Sequence, residues 1–101
     1  MSVLVRIPAP LRRLTGNRVS IAATGQDVQA VLDDLERQYP SFRKELYDDS
    51  GSLKQFINIY VNGQEIRSLD GEDTLVSDGD EISIIPAIAG GVQIGRNSIS
   101  P

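Results

Sequence analysis

The sequence predicts an α+β fold, in which one main helix packs on one face of a mixed sheet of four or five strands. Several short segments alternate apolar and polar residues, and one longer segment repeats apolar residues at helical spacing. The 101 residues are enough for one domain of ordinary size. The chain contains no Cys and no His, so we exclude thiolate nucleophiles, imidazole catalysis and metal sites built from these side chains.

The N-terminal segment predicts two neighbouring strands. Apolar residues alternate with other residues over 3–7, and Pro8 and Pro10 end this strand because proline has no N–H for the ladder. Residues 11–17 are interpreted as a turn, and a second alternating strand follows over 19–23. The short polar link indicates that the two strands form a hairpin.

Residues 28–39 predict the main helix. Its apolar stripe consists of Val28, Val31, Leu32, Leu35 and Tyr39. Thr24 is the predicted cap, with Asp27 three residues later completing a variant of the capping box. Pro40 ends the helix, and the spacing of Phe42, Leu46 and Tyr47 predicts one short helical turn after it.

The second half of the chain predicts three more strands. The best of them covers residues 56–61, and Asn62-Gly63 after it is the preferred pair for a type I′ hairpin. A short return strand follows over 64–68, and the last strand covers 81–85 before Pro86. The inward residues of the sheet are then Val3, Val5, Ile7, Ile57, Ile59, Val61, Ile82 and Ile84.

A single-layer sheet of this kind leaves its second face without a covering helix. The alternation places four apolar side chains there: Leu4, Phe56, Tyr60 and Ile85. They have two interpretations, as ordinary exposed apolar surface or as a partner-docking surface.

After Pro86 the residues become small and lose any periodicity, which is typical of a flexible arm leaving a compact body. We therefore divide the chain into a domain over residues 1–89 with its arm from residue 86, the pair Gly90-Gly91, and an extension over 92–101. Glycines without side chains can enter a narrow slot. Most Gly-Gly pairs, however, are turns or tails.

Six other segments, together with Gly90-Gly91, resemble the ubiquitin-like β-grasp sulfur carriers. The segments are Val5-Arg6-Ile7-Pro8, Leu11-Arg12, Leu32-Asp33-Asp34-Leu35-Glu36, Phe56-Ile57-Asn58-Ile59-Tyr60-Val61-Asn62, Asp78-Gly79-Asp80-Glu81-Ile82 and Ile85-Pro86-Ala87. The resemblance covers residues 2–91 and is closest to the carriers of cysteine biosynthesis, whose arm has the same Ile/Leu-Pro-Ala-x-Ala-Gly-Gly form. It implies a ubiquitin-like β-grasp fold.

The resemblance also implies covalent chemistry on the Gly91 carboxylate. An E1-like partner enzyme would adenylate it with ATP, and a sulfur donor would convert the adenylate into a thiocarboxylate. A sulfur-accepting synthase, either cysteine-synthase-like or the large subunit of molybdopterin synthase, would then take the sulfur. Ile88, Ala89 and Gly90 would form the arm that enters these enzymes. The chain would be a carried substrate rather than an enzyme, with no cofactor or metal of its own.

The chain departs from this pattern because the carriers end at the diglycine, whereas Val92 to Pro101 follow it here. Three explanations are open: a pro-segment removed by a peptidase that cleaves after Gly91, a segment foreign to the native chain, or loss of the carrier function. We favour processing. A zinc-dependent peptidase, of the kind that some relatives pair with, is a candidate.

Four alternatives to a cysteine-biosynthesis carrier remain. Two are sulfur carriers, namely the small subunit of molybdopterin synthase and the thiamine-pathway carrier. The others are a ubiquitin-like modifier joined through Gly91 to target lysines, and a non-covalent β-grasp interaction module.

Composition limits the partners and the location. The net charge of −4 argues against nucleic acid as the main partner. No apolar run is long enough to cross a membrane, and the N-terminus lacks the apolar region of a signal peptide, so we expect a cytoplasmic protein.

Two groups of charged residues are interpreted as solvated surface. The acidic stretch consists of Asp70, Glu72, Asp73, Asp78, Asp80 and Glu81, and its spacing fits no calcium-binding loop. Arg12 and Arg13 are most simply exposed loop charges. Their alternative role is contact with an acidic partner or a nucleotide.

Overall fold

A computed structural model describes residues 2–86, which form a five-stranded mixed sheet with helices packed against it and confirm the predicted α+β class. The strands are β1 (Ser2–Arg6), β2 (Ser20–Thr24), β3 (Ile57–Val61), β4 (Gln64–Glu65) and β5 (Glu81–Pro86). The helices are α1 (Val28–Gln38) and α2 (Phe42–Leu46), with 3-10 helices at Ala9–Thr15, Ile66–Ser68 and Gly71–Asp73. The predicted arm residues, Gly91 and the extension lie outside the described residues.

The last strand occupies the middle of the sheet, whose order is β2-β1-β5-β3-β4. β5 is parallel to β1 and antiparallel to β3, with Val5 opposite Ile82 and Ile59 opposite Ile84. β1 and β2 form the predicted antiparallel hairpin. The chain segment that leads to residue 87 therefore leaves from the centre of the sheet.

The core lies between the sheet and the helices. All eight predicted inward residues of the sheet are buried, the most exposed being Val61 at 7%. Val28, Val31, Leu32 and Leu35 of α1 are completely buried, as the helical stripe predicted. Tyr39 caps the end of α1 and is partly buried against this core. The two periodicities thus identify the core surfaces of the sheet and the helix correctly.

The predicted cap of α1 is wrong. Asp27, not Thr24, is the N-cap, and its Oδ1 accepts the N–H of Ala30 at 2.8 Å. The residues before the helix stay extended because Val76 N–H donates to Gln26 O at 3.0 Å and Asp27 pairs with Leu75. These contacts hold the chain in a bridge to the 74–76 segment until the helix begins.

Other boundaries also differ from the predictions. The predicted turn at 11–17 is mostly the 3-10 helix Ala9–Thr15, which ends where Gly16 takes a φ of 65°. The predicted return strand keeps only β4, because the chain turns into a 3-10 helix that buries Ile66. Pro86 pairs with Ile57 as the last residue of β5 rather than stopping the strand before it.

Two strand starts are likewise later than predicted. Val19 precedes β2 and is 57% exposed, and Phe56 precedes β3. The hairpin signal at Asn62-Gly63 is confirmed, since both residues have the positive φ values, 50° and 88°, that a type I′ turn requires.

Replacing Gly25 by alanine is expected to destabilise the fold by about 1–3 kcal/mol. An added Cβ would lie 2.6 Å from the backbone N of Val31 and 2.8 Å from the carbonyl carbon of Ala30, and neither atom can move without shifting α1. Urea unfolding of the purified chain measures the change.

Gly16→Ala is the matched control. Nothing lies within 4 Å of the Cβ it would add, so only the positive φ of 65° opposes it, at about 1 kcal/mol. If Gly25→Ala and Gly16→Ala lose the same stability, the close approach of Gly25 to α1 contributes nothing to the free energy of unfolding.

Candidate docking face and base of the arm

The base of the arm is the carboxyl end of β5. Ile84 is buried at 1%, whereas Ile85 is 47% exposed and Pro86 is opposite Ile57 on β3. The backbone is therefore held in the sheet up to the last residue that the structure describes. Gly91 is the fifth residue after Pro86, so at most about 18 Å separate the two when the chain is fully extended.

The four apolar residues predicted for the open face lie outside the core. Leu4 is 37%, Phe56 is 56% and Ile85 is 47% exposed, and Tyr60 is half-buried. Leu4, Tyr60 and Ile85 each alternate with buried strand neighbours, so their side chains leave the sheet on the side opposite the helices. Their predicted docking role stays a prediction.

The open face is divided rather than continuous. Ile85 is opposite Asn58 on β3, and Phe56 lies diagonally from it. Leu4 is opposite Glu81, which comes four residues before Ile85. Leu4 is therefore about 13 Å from Ile85 along the strand direction. Phe56 and Ile85 thus form an apolar site beside the base of the arm. Tyr60, which is opposite Ser83, lies diagonally from Ile85 on the side away from the arm, and Leu4 lies apart.

A polar band crosses the sheet between these two parts. Arg6 forms an ion pair with Glu81 at 3.5 Å, and Ser83 lies opposite both Arg6 and Tyr60. Both charged side chains are partly exposed, so their attraction is screened by water and contributes little to stability. The band keeps the apolar area of this face small.

Two arginines flank the base of the arm. Arg12 Nε donates to the carbonyl oxygen of Ile7, just after β1, at 3.0 Å. On the other side Arg67 Nη2 donates to the carbonyl oxygen of Ile57 at 3.0 Å, and its Nη1 donates to Asn58 Oδ1 at 2.7 Å. Since β5 lies between β1 and β3, the two guanidinium groups attach to the strands on either side of it.

Sequence reasoning missed Arg67 altogether. It was one residue of a predicted return strand, where its side chain had no assigned neighbour. The observed contacts with β3 exist because the chain turns into the 3-10 helix Ile66–Ser68 directly after β4. The only available signal was the positive charge itself.

Three residues of the acidic stretch, Asp78, Asp80 and Glu81, lie at the other end of β5, where two of the carboxylates hold loops. Asp78 Oδ1 accepts the N–H of Ser2 at 2.8 Å. Asp80 accepts the N–H of Ser77 at 2.8 Å and the side-chain amide of Asn62 at 3.0 Å. These two hydrogen bonds, the one from Ser77 foremost, lower the pKa of Asp80 from its ordinary value.

An open cleft of about 790 Å³ lies against α2 and the loop that follows it, and both lysines of the chain, Lys44 and Lys54, line it. Its one tyrosine, Tyr47, donates its hydroxyl to Glu72 Oε2 at 2.8 Å. Burial, reinforced by this carboxylate, raises the pKa of Tyr47 above its ordinary value. The phenol therefore stays neutral as a packing and hydrogen-bonding residue.

Within residues 2–86 no three carboxylates, or other metal-binding side chains, are placed to hold a metal ion. No helix in this part of the chain is long and apolar enough to cross a membrane.

The sheet order, with β5 at its centre, and the single main helix define a ubiquitin-like β-grasp protein. The model of the ThiS family matches residues 5–91, which is most of the chain, and its last matched residue is Gly91. The chain therefore belongs to the ThiS family, and the predicted resemblance is confirmed.

Similar proteins agree with this assignment. The sulfur carrier protein CysO of Mycobacterium tuberculosis is 44% identical over 93 residues, which cover 90% of this chain and all of that protein. Small archaeal modifier protein 3 of Haloferax volcanii is 34% identical, with the same coverage. A chain in the crystal structure of the Amycolatopsis orientalis BexX/CysO complex superposes with a TM-score of 0.81 at 39% identity, covering 88% of this chain and 99% of that one.

Proposed function

We propose that this chain is a sulfur carrier for cysteine biosynthesis, and that Gly91 becomes its reactive terminus after proteolysis. The observation that supports this most is the family match, which ends at the second glycine of the pair, with residues 92–101 beyond it. The 44% identity to the M. tuberculosis sulfur carrier protein supports the cysteine route over the molybdopterin and thiamine routes.

Each proposed step balances on the backbone. A peptidase hydrolyses the Gly91–Val92 bond and frees the carboxylate. A carboxylate oxygen attacks the α-phosphorus of ATP on an E1-like enzyme, and pyrophosphate leaves. A sulfide equivalent from the donor then attacks the carbonyl carbon and AMP leaves, so that a thiocarboxylate remains. A cysteine-synthase-like enzyme accepts the sulfur.

The chain's own contribution to this chemistry is binding and presentation. β5 holds the base of the arm between β1 and β3, and the exposed pair Phe56 and Ile85 lies directly beside it. An apolar contact there would place the arm at the mouth of the partner's active site. A CysO protein is found in a complex with BexX, which supports docking on a partner protein in this family. In this proposal the E1-like enzyme uses the ATP, and the sulfur transfer takes place in the cytoplasm.

Intact-mass analysis of the protein purified from its native cell tests the proposal. We expect a chain that ends at Gly91, part of it heavier by the difference between one sulfur and one oxygen atom. Brief alkylation with iodoacetamide should add to the heavier species alone, since the chain has no Cys and the thiocarboxylate reacts much faster than an amine or a thioether. A population made up only of chains ending at Pro101 would rule out the carrier role.

A second candidate is a protein modifier, which the 34% identity to a small archaeal modifier protein favours. In that case the Gly91 carbonyl would be joined to the ε-amine of a lysine on another protein, with AMP as the leaving group. Higher-mass adducts that yield a Gly-Gly remnant on lysine after digestion would identify it. A carrier produces the sulfur-dependent mass change and no such adducts.

A further inference from the structure

The charges of the described residues are distributed unequally between the two ends of the central strand. The carboxyl end of β5 lies between Arg12 and Arg67, and Lys54 precedes β3 at the same end, with its carbonyl oxygen accepting the N–H of Ile57 at 3.0 Å. Glu65, at 3.4 Å from Arg67, is the carboxylate in contact with this group. Arg12 and Arg67 therefore place two positive charges beside the end that bears the arm, with one carboxylate in contact with them, although the whole chain has a net charge of −4.

The opposite end of β5 is strongly negative. Asp78 and Asp80 lie in the turn just before the strand, and Glu81 begins it. The strand thus begins among carboxylates and ends between two arginines, and the chain continues toward Gly91 from the arginine end.

Arg12 and Arg67, which we call the arm-side rim, are available for further contacts. Each uses part of its guanidinium group to hold a main-chain carbonyl oxygen, which fixes its position beside the strand. Arg12 is half-buried and forms no ion pair within residues 2–86, and the side chain of Arg67 is 48% exposed. Two strand spacings separate their anchoring points, about 10 Å.

We propose that the arm-side rim docks on carboxylates around the opening of the enzyme that adenylates Gly91, and so orients the chain with its arm toward that enzyme. This inference rests on the proposed carrier function. Gly91 lies within about 18 Å of Pro86, so a rim that flanks Pro86 meets the surface around the opening when the glycine reaches the reacting atoms. A positive patch on an acidic chain also selects the productive orientation during diffusion.

An acidic protein surface fits the arm-side rim better than a nucleic acid does. Phosphate backbones are bound by extended basic surfaces, whereas this rim consists of two arginines, one of which is paired with Glu65. The acidic end of the chain would also be repelled by polyanions. The rim beside the apolar pair Phe56 and Ile85 instead forms a mixed surface with a charged edge, as is usual where two proteins dock.

Stopped-flow association of the chain, in the form purified from its cell, with its adenylating enzyme tests the inference. We expect Arg12→Gln/Arg67→Gln to lower the association rate constant about tenfold at low salt and to flatten its salt dependence. The control Arg37→Gln/Lys44→Gln, which removes the same charge at α1 and α2, should associate like the wild type. An unchanged rate constant for the rim variant would overturn the inference.

The variant Arg12→Lys/Arg67→Lys separates charge from structure. It keeps both positive charges and loses the planar fork that binds Ile7 and Ile57, so we expect most of the association rate to return. If it associates as slowly as the glutamine variant, the two side chains act only by holding the strand ends and the inference is wrong. Rim-dependent binding of the wild type to transfer RNA would also overturn it, in favour of a nucleic-acid surface.

Adenylation of the wild type, followed as pyrophosphate release, distinguishes this inference from the proposed function. If the wild type binds the enzyme through the arm-side rim but is never adenylated, the carrier function fails and the docking surface stands. If the wild type is adenylated and the rim variants associate normally, the carrier function stands and the docking surface fails.

Discussion

Replacing Gly91 by valine is expected to lower thiocarboxylate formation at least about 100-fold and to leave the melting temperature unchanged. The carbonyl that we propose reacts belongs to this residue, and a branched side chain next to it would displace the carbonyl carbon from the attacking atoms; misplacement by about 1 Å can cost this much in rate. The sheet of the described residues ends at Pro86, so the substitution touches none of its ladders.

The measurement is the intact mass of wild-type and variant chains after expression in the native cell, which would supply the proposed peptidase and activating enzyme. Gly95→Val is the matched control: it makes the same substitution in the extension beyond Gly91 and should leave sulfur loading unchanged. Sulfur on the Gly91→Val chain at the wild-type level would contradict the assignment of Gly91 as the covalent site.

Replacing Phe42 by alanine is expected to destabilise the fold by about 3–5 kcal/mol, which lowers the melting temperature by about 12 °C or more. Phe42 lies on α2, is completely buried and meets Tyr39 edge to face at 6.4 Å between ring centroids. Its removal leaves a cavity between α2 and the rest of the core, because the surrounding backbone relaxes only in part. Urea unfolding followed by far-ultraviolet circular dichroism measures the loss.

Phe56 is the other phenylalanine of the chain and provides the control. It is 56% exposed beside the base of the arm, so Phe56→Ala should change stability by no more than about 0.5 kcal/mol. The same variant should bind the activating enzyme more weakly, since it removes apolar area from the proposed docking site. If Phe42→Ala does not fold well enough to be measured, Phe42→Leu provides a milder loss of the same sign.

Much of the core was predictable because alternation and helical spacing determine which side of an element is apolar. Val3 and Val5 had to share a face of β1, and Leu32 and Leu35 a stripe of α1. The ends of the elements depend on distant partners. α1 begins at Val28 because the 74–76 segment pairs with the residues before it, and no local pattern contains that contact.

The candidate site was predictable to a different degree. Gly91 follows from the family resemblance, since Gly-Gly by itself indicates little. The apolar residues of the open face follow from alternation, but their division into a Phe56–Ile85 site and a separate Leu4 depends on the pairing of β1 and β3 with β5. The contacts of Arg67 with β3 depend on the turn that the chain makes after β4, which the sequence pattern does not show. Register and turn geometry are therefore what the sequence pattern alone could not supply.

The central position of β5 also determines when the chain can fold during synthesis. β1 and β3 are joined only through β5, which is the last of the described elements to leave the ribosome, so the sheet cannot close until nearly all of residues 2–86 have been made. Until β5 has been made, the segments that precede it keep part of their apolar surface exposed to water. A nascent chain that stops short of residue 86 lacks both its central strand and its arm, so incomplete chains have no reactive end to present.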